Sequence, residues 1–139
     1  MHFFVFNFKW VMLASGLLTC TMFFALLFPQ PALRSTFGES IEGPVADIII
    51  RNWGALIGLM GIMLIYGAFV AHLRKFVLAI AGESKLLFII LVLYSAKSYF
   101  GYGAGTAVIA DSIMIVLFAV YLLILPFTCS QGQLTKQNN

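Results

Sequence analysis

The stretch IIIRNWGALIGLMGIMLIYGAFV, residues 48–70, decides the fold. Residues 53–70 carry no charge. At about 1.5 Å per helical residue they cross most of a hydrocarbon core of about 30 Å. Gly54, Gly58 and Gly61 recur at i, i+4 and i+7 and so share one helix face, and Arg51, three residues before Gly54, lies over the same face. The sequence therefore predicts a smooth glycine-lined groove that ends in a guanidinium.

Composition places the rest of the chain around that helix. Of 139 residues, 62% are hydrophobic and 9% charged, against about a quarter charged in soluble domains, and the mean hydropathy is +1.03. These values describe an integral membrane protein. The net charge of +3 comes from Lys and Arg scattered between apolar runs, which is a topology signal and no footprint for nucleic acid. Cys20 and Cys129 stand in no CxxC or metal-type spacing, and a structural disulfide between them is not expected.

Working outward, three further apolar runs give an all-α, polytopic transmembrane four-helix bundle. The expected spans are about 10–28, 48–70, 76–96 and 104–125, within a single domain 1–129 that is followed by a polar tail, 130–139. A cleaved signal peptide is disfavoured for the first run, because Phe residues precede Lys9 and the apolar run continues beyond Cys20. Pro29 and Pro31 stop the first span and open an external loop, 29–47, with a short amphipathic helix near 32–37 and Asp47 as a cap for the second span. Pro126 is expected to end the fourth. In the third run Glu83 and Lys85 point to nearly opposite sides of a helix and form a secondary charged region. At least one of them must face another helix or snorkel. With Lys9, Arg74, Lys75, Lys85 and Lys136 on one side and Arg34, Arg51 and Lys97 on the other, both termini are expected to be cytoplasmic.

The residue most suggestive of a site is Asp111, inside the fourth run. A carboxylate there needs a proton, a counter-charge or water. Arg51 is the expected partner, with Lys97, Asn52, Trp53 and Ser112 completing a polar intramembrane cluster. Such a pair more commonly fixes register among helices than it relays protons or holds an anionic headgroup. Gly54, Gly58 and Gly61 are read first as a helix-packing face, with a slot for a lipid tail, a quinone or a tetrapyrrole as the alternative. His2 and His72 form no metal cluster, and no serine has a base and an orienting acid at matching depth, so neither a metal nor catalytic residues are predicted.

The entry RNWG at residues 51–54, the glycine-bearing second span, the basic turn at His72, Arg74 and Lys75, and AGESK at residues 81–85 together resemble the DoxX-like group of small bacterial four-helix membrane proteins. The resemblance implies a four-helix bundle in the inner membrane and leaves open an accessory role in a redox complex. It carries no catalytic residue over to this chain. The function expected is that of a non-catalytic accessory or lipid-binding subunit, associating with lipids, with other membrane subunits or with itself. No cofactor is predicted beyond a bound lipid or quinone. The alternatives are a small transporter or channel built on the Arg/Lys/Asp cluster, or a subunit of a quinone-linked redox complex.

Overall fold

The computed structural model describes residues 2–95 and 101–136, and side chains within 7–94 and 101–124. Among the described residues six α-helices follow in order: α1 (His2–Cys20), α2 (Phe23–Leu27), α3 (Pro29–Phe37), α4 (Pro44–Phe69), α5 (Arg74–Ser95) and α6 (Gly103–Lys136). A 3-10 turn, Ala71–Leu73, links α4 to α5. Four segments are long and apolar enough to cross a membrane: Asn7–Leu27, Pro44–Phe69, Ala71–Tyr94 and Gly103–Ile124. The chain is a multi-pass membrane protein.

The first span is broken rather than straight. Thr19 Oγ1 donates to Ser15 O at 2.8 Å and Thr21 Oγ1 to Leu18 O at 2.6 Å, and hydroxyls that bond back to their own helix bend it. The backbone tightens there into i→i−3 bonds, with Thr21 N donating to Leu18 O and Met22 N to Thr19 O, both at 3.2 Å. Pro29 then opens α3, and Gly38, at φ 74° in the left-handed region, closes it by donating its N–H to Arg34 O. The short helix expected near 32–37 is thus longer, and it is packed: Ala32 and Leu33 are buried against Ala25 and Ile50.

Three expected boundaries are corrected, and the first is the start of the third span, which lies at Ala71 and not at 76. The second span starts at Pro44, whose fixed φ suits the first helical turn, so Asp47 lies inside that turn and accepts a 2.7 Å hydrogen bond from Gln30 Nε2 instead of capping the helix. The fourth helix runs through Pro126 to Lys136, because a proline removes a single i→i−4 bond and a transmembrane helix tolerates that loss. At the other end of α4, Arg74 closes the helix by donating to Gly67 O at 3.3 Å and Ala68 O at 2.7 Å. Arg74→Ala is expected to cost about 1 kcal/mol. Reversible unfolding in mixed micelles checks this, and an unchanged midpoint would refute the capping role.

All four spans meet in one core toward the α1 N-terminus. Phe8 stacks on Tyr121 at 4.0 Å between ring centroids and meets Phe118 edge-on at 6.4 Å. Met12, Leu64, Ala68, Val77, Leu78 and Ala81 complete this plug. Toward the opposite, loop-bearing side, Phe37 at the end of α3 packs on both the α2–α4 cluster and the Val92–Ala104–Val108 cluster of α5 and α6. Gly103 lies so close beneath α3 that an added Cβ would sit 2.7 Å from Ser35 O. Helix α3 therefore roofs the loop side, and the plug closes the other.

Candidate functional site

The glycine face of α4 is where the first span docks. A Cβ on Gly54 would lie 2.7 Å from Ala25 Cβ and 2.8 Å from Met22 O. One on Gly61 would lie 2.7 Å from Gly16 O, and Gly58 would meet the Phe23 ring. The groove expected from the sequence is therefore filled by α1 and α2, and it is not the floor of a pocket. Arg51 follows from the same geometry. Sharing the face of Gly54, it points to α2, where its Nη1 donates at 2.6 Å to Leu26 O, one of the carbonyls that α2 leaves free at its C-terminus.

The expected pairing of Arg51 with Asp111 is accordingly corrected: the partner of Asp111 is Lys85, on α5. Helical arithmetic shows why. Asp111 is eight residues below Gly103, and Lys85 nine residues below Tyr94, so the two sit about 12 and 14 Å from the loop-side ends of their spans. Of the other residues expected in the cluster, Ser112 donates to its own helix at Val108 O, 2.7 Å away, and Asn52 is exposed. Trp53 leans on Phe37 with ring centroids 6.1 Å apart, and Lys97 lies outside the described residues. Glu83 is exposed while Lys85 is buried, so this secondary pair divides as opposite faces of one helix require.

Lys85 and Asp111 belong to a polar string across three helices. The Lys85 ammonium donates to Asp111 Oδ1 and, at 3.4 Å, to Thr19 Oγ1, whose own proton is committed to Ser15 O. Ser15 Oγ in turn contacts Met114 Sδ at 2.9 Å. The side chains of Lys85 and Asp111 retain 10% and 17% of their exposure, so two opposite charges stand nearly buried at mid-span. Thr19, on the last turn of α1, joins them through its hydroxyl. Sequence reasoning missed Thr19 and set Lys85 apart. The available signal was the matching depth of residues 85 and 111 counted from the loop side.

Beside this string is a cavity of about 470 Å³, within the range of small-molecule sites. Leu18, Met22, Met60, Leu64 and Phe88 give it apolar walls. Thr19, Ser84, Thr106, Lys85 and Asp111 place hydroxyls and the charged pair on the same surface. Among the described residues no three His, Cys, Asp or Glu side chains converge as a metal site would require. The arrangement offers hydrogen bonding and charge complementarity to a molecule with a polar end and an apolar body. Compared with protein-family models, curated proteins and solved structures, the chain gives no significant match.

Proposed function

We propose that this chain is a small four-helix bundle of the bacterial inner membrane, with both termini cytoplasmic, that acts as a non-catalytic lipid-binding or accessory subunit. It holds one membrane-phase amphiphile among its helices. The observation that carries this reading is the cavity with Lys85 and Asp111 on its wall: a buried ion pair whose sole use was to fix register needs no empty space beside it. The DoxX-like layout belongs to the same proposal, as architecture only. A transport path is the weaker alternative, since below the pair the Phe8–Tyr121–Phe118 plug closes the space between the spans.

The test is native mass spectrometry of the chain released from its own membranes in mild detergent. The expected result is one bound lipid-phase molecule per chain, lost in Ala107→Phe, which fills the cavity from the α6 side. Wild-type protein that carries nothing, or a bound molecule indifferent to Ala107→Phe, would overturn the proposal.

A further inference from the structure

The route by which a molecule reaches the cavity follows from where the walls are exposed. Helices α1 and α6 are joined at their far ends by Phe8 and Tyr121 and again at Ser15 and Met114. Above that level Leu18 and Thr21 on the first span, and Thr106 on α6, line the cavity and are also exposed, Leu18 by 51%. All three lie within membrane-spanning segments, so the opening between them faces hydrocarbon. Gly103, at the loop-side end, also lines the cavity, and α3 packs against it there.

The head group follows from the pair's unused valences. An ammonium has three donors, and Lys85 commits two of them, to Asp111 and Thr19. Asp111 uses one carboxylate oxygen. Its other oxygen has no protein donor among the described residues and is not shut away from the open space. The cavity therefore presents one donor and one acceptor side by side, on a pair that sums to zero charge. An anionic head would leave an uncompensated charge in a low-dielectric site, and a head without a proton would leave the carboxylate oxygen unmet. A hydroxyl, which both donates and accepts, meets both groups.

We infer, resting on the lipid-binding reading above, that the cavity takes a neutral, hydroxyl-headed single-chain lipid. It enters from the bilayer between the first span and α6, and its hydroxyl bridges Lys85 and Asp111. The chain lies against Leu18, Met22 and Phe88 and trails out past Thr106. Ser84 and Thr106 add hydroxyls for a polyol head without adding charge.

The experiment compares three ligands of equal chain length on the whole protein in phosphatidylcholine nanodiscs: 1-monooleoylglycerol, oleate and methyl oleate. Monooleoylglycerol is expected to bind about tenfold more tightly than either of the others, the discrimination that one hydrogen bond to a charged group supplies. Asp111→Asn leaves a net cation on the wall and should shift the preference to oleate. Lys85→Met combined with Asp111→Leu, which keeps an apolar wall should the first variant fail to fold, should bind all three alike. Leu18→Trp at the rim should slow exchange without changing the order. Oleate or methyl oleate binding as tightly as monooleoylglycerol, or a preference that survives the double substitution, overturns the head-group assignment and leaves the lipid-binding reading standing. Unchanged exchange in Leu18→Trp overturns the route. If none of the three ligands binds, the lipid-binding reading itself fails.

Discussion

Asp111→Ala is expected to destabilise the protein by about 3–5 kcal/mol, the cost of leaving one member of a buried ion pair without its partner. The position leaves the remaining charge little escape. Lys85 is nine residues from the loop-side end of its span, about 14 Å, which its four-carbon stem cannot cover by snorkelling. Thr19 offers a single oxygen at 3.4 Å, too little to replace a carboxylate. Adding Lys85→Met to Asp111→Ala should restore most of the loss, because it removes the orphaned charge together with its desolvation cost. Reversible unfolding in mixed micelles, run as a double-mutant cycle, measures the coupling. If Asp111→Ala alone is as stable as the double variant, Lys85 has found water or a headgroup, and the ion pair carries no net stability.

The four spans were legible in the sequence because each is a predominantly apolar run of sufficient length, a signal that depends on composition and hardly on packing. Which charges meet was not legible, for a reason visible at Arg51 and Lys85. The periodicity that placed Arg51 over Gly54 was sound, but a helix face says nothing about its neighbour until the chain order around the core is known. That face meets α1 and α2, so Arg51 is used on a free carbonyl of α2. A third span that begins at residue 76 or later puts Lys85 toward the opposite side of the membrane from Asp111. The span instead begins at Ala71, so Lys85 is fourteen residues in, about 21 Å and past the middle. The break between Cys20 and Phe23 places Thr21 and Met22 on the cavity wall. That break arises from two threonine hydroxyls competing for backbone carbonyls, a local event with no hydropathy signature.

The same interface supplies a second large effect, in which one chemical change is expected to act with opposite sign at two positions. Gly61→Ala places a methyl group 2.7 Å from Gly16 O and from Cys20 N, and because both are backbone atoms no side-chain rotation relieves the contact. Helices α1 and α4 must move apart, at a cost in the upper part of the about 1–3 kcal/mol usual for overpacking. Gly82→Ala, in the middle of α5, meets nothing within 4 Å and replaces a poor helix former by the best one, so it should stabilise by up to about 1 kcal/mol. Thermal midpoints of the two variants, measured side by side in one detergent, check the signs. A neutral Gly61→Ala would mean that α1 does not rest on α4 as closely as Gly16 and Gly61 require. The consequence reaches the site, because Gly16 and Cys20 face α4 on the same two turns of α1 that carry Thr19 toward Lys85. Pushing α1 off α4 therefore moves the Thr19 hydroxyl against the ammonium it accepts from, and Gly61→Ala should weaken amphiphile binding as well as folding. Gly82→Ala leaves both the crossing and the binding unchanged.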